Sequence, residues 1–434
     1  MREVWRLSLP AILTQITTIA MQYIDSAMVG RLGANASAAI GLVASSTWLF
    51  NGVCYALSAG FSVQVAHRIG AGNARGARSV EKNGLLAGLL VSGLLCLLGS
   101  LIHAQLPVWL KGDAKITGDA GRYFLSFSWM LPFTQLCSLT SSFLQCAGDM
   151  LTPSILNAVM CVLDVVFNAL LIPRLGVFGA GLGTMLACAV VAVVMVILCC
   201  FRNESLRFRS GEHHPVDGAV LKTALRIGTP VALQEVAMCG AQVASTAIIA
   251  PLGALAVAAN AFAVTAESIC YMPGYGIANA AAALVGRSVG AGNMESAKRD
   301  GNICIALGAF LMTCTGAVMM FLCPLVFGML TPVADVQQLA ARVLRIELLA
   351  EPLFGASIVA AGALRGAGDT LVPSLLNLGS IWLVRVGSAL VLVPRFGLTG
   401  MWCAMAVELC IRGLLLLVRQ RTSKYYLPMD TKRP

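Results

Sequence analysis

Leu144 to Asn157 reads LQCAGDMLTPSILN, and Leu364 to Asn377 reads LRGAGDTLVPSLLN; the windows lie 220 residues apart and share nine of fourteen positions. The same offset pairs Pro10 with Pro230, Gln22 with Gln242, Leu32-Gly33 with Leu252-Gly253, and Pro132 with Pro352. It also lays Gly70-Ala71-Gly72-Asn73 over Gly290-Ala291-Gly292-Asn293. Further on, Pro173-Arg174 and Gly176 match Pro394-Arg395 and Gly397 at 221, so one residue has been inserted. Chance likeness between apolar segments holds no such register, least of all at loop residues such as Asp149 and Asp369. The chain is a tandem repeat.

What repeats is membrane-spanning. Of 434 residues, 58% are hydrophobic and only 12% charged, with a mean hydropathy of +0.82. Apolar stretches of about 20 residues recur along the chain, each long enough to cross a ~30 Å hydrocarbon layer. They are continuous rather than alternating, which selects helices over barrel strands. The predicted spans are 7–30, 38–66, 83–106, 122–146, 152–173, 177–201, 226–250, 255–286, 302–330, 340–364, 372–393 and 398–418. The expected fold is therefore an all-α polytopic membrane protein: twelve transmembrane helices in two pseudo-symmetric six-helix lobes around a central cavity. Six helices return the chain to its starting side, so the repeats are parallel, a layout common among alternating-access transporters. The expected division is an N-terminal lobe over 1–201, a cytoplasmic linker over 202–225, a C-terminal lobe over 226–420 and a cytoplasmic tail over 421–434. The linker carries Arg207, Arg209, His213, His214 and Pro215.

The net charge of +10 does not indicate a nucleic-acid partner. Most Lys and Arg fall in the N-terminus, the even-numbered loops and the tail, the positive-inside pattern that puts both termini in the cytoplasm. A bacterial-type inner (plasma) membrane is the expected location, with lipid as the surroundings and a monomer as the expected state. Many of the fifteen cysteines sit in apolar runs, where they behave as small apolar residues. The first apolar run is of full spanning length and reads as a membrane helix, not a cleaved leader.

Catalysis finds little footing. Gly286-Arg287-Ser288-Val289-Gly290 fits G-x-S-x-G, but it ends a predicted membrane helix and no histidine follows His214. The Gly-Ala-Gly-Asn loops lack the lysine of a phosphate-binding loop. No enzyme and no cofactor are expected.

Acids inside the membrane are the informative residues, because a charge at mid-bilayer costs about 2.5–3.5 kcal/mol on insertion scales. Asp25 shares one stripe of the first helix with Thr14, Thr18 and Gln22, all within about 80° of one another. Asp164 shares a face of the fifth with Asn157 and Asn168. Together they form a candidate cation or proton site, since a carboxyl group screened from water can exchange a proton with bulk solution; inter-helix packing is the plainer alternative. At an offset of 220, Asp25 falls opposite Ser245 and Asp164 opposite Val384. The second half has its own acids instead: Glu235 opposite Gln15, Glu267 opposite Thr47 and Glu351 opposite Leu131. Glu235 and Glu267 are candidates for a substrate or second ion site, or for pairing with Arg385, which falls opposite Val165. Glu408 and Arg412, spaced i and i+4, are expected to neutralise each other, and Glu347 to pair with Arg345 or Arg342.

Several segments carry a family resemblance. They are Leu9-Pro10 with Asp25-Ser-Ala-Met-Val-Gly-Arg-Leu-Gly33, Gly176-Val-Phe-Gly-Ala-Gly-Leu-Gly-Thr184, the Leu-Val-Gly-Arg-Ser-Val-Gly-Ala-Gly run ending at Gly292, and Gly362-Ala-Leu-Arg-Gly-Ala-Gly-Asp-Thr370. All resemble the MATE family (multidrug and toxic compound extrusion), over roughly residues 7 to 420. The resemblance implies export of organic cations or drugs driven by inward H+ or Na+. For members that couple through the N-terminal lobe it also implies that an aspartate of helix 1 works with an Asn and an Asp of helix 5 and a Thr of helix 6. Other members use a glutamate of helix 7, the helix that carries Glu235. Asp25, Asp164 and Thr184 match the first set; the Asn position is Met160, with Asn168 one turn the other way as its substitute. The missing amide favours H+ over a Na+ held at Asp25 and Asp164. The remaining candidates are Gln22, Asn157, Glu235, Gln242, Glu267 and Arg385. The rivals are a lipid-linked oligosaccharide flippase of the same superfamily and a non-transporting scaffold.

Overall fold

Among the described residues eight glycines adopt positive φ, and they form four pairs: Gly33 with Gly253, Gly72 with Gly292, Gly148 with Gly368, and Gly176 with Gly397. The first three pairs are 220 apart and the last 221, so the backbone repeats the register read from side chains. One turn shows why. Gly72 (φ 68°) and Gly292 (φ 76°) take a conformation that L side chains resist. The following residue then caps the next helix: the Asn73 side chain accepts from Gly76 N at 2.7 Å and that of Asn293 from Ser296 N at 2.9 Å.

The computed structural model describes residues 2–209, 212 and 215–426. His213, His214 and the end of the tail, 427–434, lie outside the described residues. Among the described residues there are helices and no strands. The first half has α1 (Arg2–Gly30), α2 (Ala34–Gly70), α3 (Ala74–Ile102), α4 (Ala114–Cys146), α5 (Leu151–Leu175) and α6 (Val177–Ile197). The second has α7 (Gly218–Ile249), α8 (Ala254–Gly290), α9 (Met294–Leu330) and α10, broken into Ala334–Leu348 and Glu351–Ala367. It continues with α11, in which Leu371–Gly379 and Gly387–Phe396 flank a π-helical stretch Ser380–Val386, and ends with α12 (Leu398–Thr422). Ten of the segments pass a length-and-hydropathy test for crossing a membrane; α4 and the broken α10 complete the twelve-helix arrangement. Exposure agrees: Phe321 is 83% and Met329 80% exposed on α9, which suits lipid and not water.

Two compact units form, each crossing the boundary between the halves. One comprises Ile16–Ala232 and the other Met1–Gln15 with Leu233–Pro434. In the first unit, Phe50, Phe124, Phe127 and Leu131 build a core with Ala39 and Val43. A Cβ on Gly60 would strike the Ala224 carbonyl and one on Gly228 the Ala56 carbonyl, so the start of α7 lies directly on α2. The linker is strapped to α3: buried Arg78 donates from Nε and Nη2 to the Glu212 carboxylate at 2.7 and 2.6 Å, and Asp217 N donates to Asn83 Oδ1 at 3.0 Å. In the second unit, Met312, Phe327, Leu344 and Trp402 form the core, and Gly276 lies against the Ala11 carbonyl of α1.

Candidate functional site

In the first unit the polar faces of α1 and α5 meet rung by rung. Asn157 Nδ2 donates to Thr18 Oγ1 at 2.9 Å, and Asn168 Nδ2 donates to Asp25 Oδ1 at 2.9 Å. The rungs climb both helices in the same direction, as the first and fifth helices of one half must. The Asp25 carboxyl also faces Asp164. Asp164 is fully buried, and neither of its oxygens meets a donor among the described residues. Two carboxyls side by side repel when both are ionised; a shared proton or a small cation removes that repulsion.

Two residues at this site escape the sequence reading. Half-buried Tyr123 of α4 sits close enough to interact electrostatically with both Asp25 and Asp164. Gly183 of α6 is the other: a Cβ there would collide with Asn168 Oδ1, so its absence lets the amide reach Asp25. A lone tyrosine in an apolar helix carries no spacing signal, and Gly183 is one glycine among several in a Gly-rich segment. Thr184, beside it, spends its hydroxyl on the Ala180 carbonyl of its own helix at 3.1 Å. Gln22 and Gln242 are both exposed, each with its carbonyl taking a hydroxyl from four residues on, Ser26 or Thr246.

The second unit repeats one rung and rebuilds the rest. Asn377, the counterpart of Asn157, donates to Gln234 Oε1 at 3.0 Å, linking α11 to α7. Glu235 is half-buried in the field of Arg365, and Glu267 is buried in the field of Arg385 and Arg412. The expectation that Arg385 pairs with Glu235 or Glu267 is corrected. Arg385 instead donates from Nε and Nη2 to Glu408 Oε2 at 3.1 and 2.7 Å. Ser380 Oγ donates to Glu408 Oε1 at 2.7 Å, and Arg412 Nε lies 3.2 Å from that oxygen without hydrogen-bond alignment. Glu408 thus serves two arginines where the spacing i, i+4 indicated one. Glu347 pairs with neither Arg342 nor Arg345: like Glu351 it is fully buried with both oxygens unbonded, while Arg345 donates to the Met320 carbonyl at 3.3 Å. Among the described residues no group of three or more metal-ligating side chains is arranged to hold a metal ion.

The MatE family model matches residues 10–170 and 230–391, one stretch in each half. The probable multidrug resistance protein NorM of Rhodopseudomonas palustris is 30% identical over 433 residues, covering 95% of this chain and 90% of its own. That of Thermotoga maritima is 28% identical over 433 residues, covering 96% and 91%. Among solved structures, a variant of the Vibrio cholerae MATE transporter VcmN superposes with a TM-score of 0.92 at 17% identity, covering 98% of each chain. A multidrug resistance MATE family transporter in an outward-facing conformation gives 0.91 at 20%, covering 96% and 94%. At such identity the structures speak for the fold.

Proposed function

The chain belongs to the MatE family, and from that premise we propose that it is a secondary active exporter of amphipathic organic cations, driven by inward movement of H+ at Asp25 and Asp164. The observation that carries the proposal is the facing carboxyl pair, with Asp164 buried and undonated. Taking up a proton at this pair favours one arrangement of the helices, and binding substrate from the cytoplasm favours the other. Antiport follows from that competition. Asn168 holds Asp25 in place, Tyr123 borders the pair, and Gly183 makes room for the amide.

Protons suit the residues better than Na+. A hard cation asks for several oxygen ligands, whereas Asn168 turns its NH2 group towards Asp25 and Met160 brings a thioether. Gln22, Asn157, Glu235, Gln242 and Glu267 are the proposed polar contacts for substrate, with Glu235 and Glu267 complementing its positive charge. Both termini are placed in the cytoplasm and the working unit is a monomer in the inner membrane.

The test is efflux of a fluorescent organic cation from everted vesicles under separate pH and Na+ gradients. Wild type is expected to respond to the pH gradient, and Asp25→Asn and Asp164→Asn to lose that response. Unchanged gradient-driven efflux in both variants would sink the proposal, and a response to Na+ alone would transfer it to that ion.

A further inference from the structure

The repeat changes register inside α11. Up to Asn377 the halves match at 220, and Asn157 and Asn377 each donate to the first helix of their half, to Thr18 and to Gln234, whose counterpart Thr14 lies one turn before Thr18. By Leu392 they match at 221, because the Leu171 and Leu392 carbonyls lie in the same way against Gly179 and Gly400. Between these points lies the π-helical stretch Ser380–Val386. A π-helical turn is a wider turn, and it absorbs one extra residue without breaking the helix. At the downstream offset Arg385 stands opposite Asp164, and not opposite Val165. Its partner Glu408 stands opposite Ala187, and Arg412 opposite Val191. One half therefore has a carboxylate where the other has a guanidinium.

The surroundings of Arg385 are charged from several sides. Glu408 and Arg412 come from α12, and Glu267 comes from α8 and Glu347 from α10. Tyr275 of α8 borders Arg412, whose guanidinium lies 5.3 Å from the Phe354 ring centre. Arg385 and Arg412 balance Glu408 and Glu267 with no ion bound. Glu347 and Glu351 are fully buried, and their oxygens meet no donor among the described residues.

We propose that Arg385 is a tethered cation that occupies, in the second half, the position a coupling ion takes beside Asp164 in the first. The second half then stays charge-balanced through the cycle and takes up no coupling ion of its own. Its guanidinium makes Arg385 a positioning residue that sets how many ions accompany each substrate. Glu235, outside this network, is left to meet the substrate's positive charge. The proposal rests on the coupling role of Asp25 and Asp164 for the meaning of the comparison.

The test counts ions on purified full-length protein in nanodiscs, using radioactive sodium for Na+ and a pH indicator for proton uptake. Arg385→Gln is expected to take up one cation more per chain than wild type. That extra uptake should persist when Asp25→Asn is added and vanish in the charge-balanced double variant Arg385→Gln/Glu408→Gln. Arg385→Gln with wild-type stoichiometry overturns the proposal, and so does an extra cation in the double variant. Should Arg385→Gln not fold, the double variant carries the test alone: wild-type stoichiometry supports the tethered cation and any increase overturns it. A purely structural arginine would alter stability without altering the count. If Asp25→Asn by itself loses no uptake, the coupling role of the first half fails, while the effect of Arg385→Gln is still read against wild type.

Discussion

The Asn168 side chain donates to Asp25 Oδ1 at 2.9 Å and thereby joins α5 to α1 beside Asp164. Among the described residues the Asp164 oxygens receive no hydrogen bond, so this contact to Asp25 sets where the carboxyl of the pair points. A bond from an amide to a charged acceptor contributes about 1.5–3 kcal/mol.

Removing that donor gives the first prediction. Asn168→Ala should lower pH-driven efflux by roughly tenfold or more, the scale of one such bond, with little change in expression. Vesicle efflux alongside quantitative detection of the membrane-inserted protein reads both, and full activity would dissociate Asn168 from the site.

Gly183 supplies a second, indirect route to the same amide. Gly183→Ala places a methyl group where Asn168 Oδ1 now lies and should reproduce the Asn168→Ala phenotype. Combining the two should add little, because residues acting through one contact are not additive. Additive losses in the double variant would show that Gly183 matters for helix packing instead.

The linker offers a prediction away from the transport site. Glu212→Gln removes the negative charge opposite buried Arg78 and leaves one acceptor oxygen in place of two, a loss of roughly 1–3 kcal/mol once the partial exposure of Glu212 is allowed for. The linker should then be cut faster by trypsin at Arg207 or Arg209 in inverted vesicles. Equal cleavage rates would mean that the ion pair does not hold the strap.

Much of the fold was open to reading in the sequence because its register is carried by residues with backbone duties. Glycines at positive φ and capping asparagines tolerate few substitutes, so Gly72-Asn73 and Gly292-Asn293 kept their spacing while surrounding apolar residues drifted. Asp25, Asp164 and Asn168 were legible too, since polar residues spaced along one face of an apolar helix stand out. Arg385 was not. Its counterpart in the first half depends on where within α11 the extra residue is taken up, and the π-helical stretch Ser380–Val386 is visible only in the structure. Nor does helical spacing announce that Glu408 answers to a second arginine from another helix.

The crossing of α1 between units bears on how the chain is made. Its first residues, through Gln15, belong with a unit whose other members begin at Leu233, and Ala11 meets its neighbour Gly276 only after the ribosome has passed that codon. At ordinary synthesis rates the wait is roughly 15–50 s. During it the opening turns of α1 are inserted in the bilayer without their eventual partner. Neither half emerges from the translocon self-sufficient, and a truncated message encoding only the first six helices should yield a product open to quality-control proteolysis.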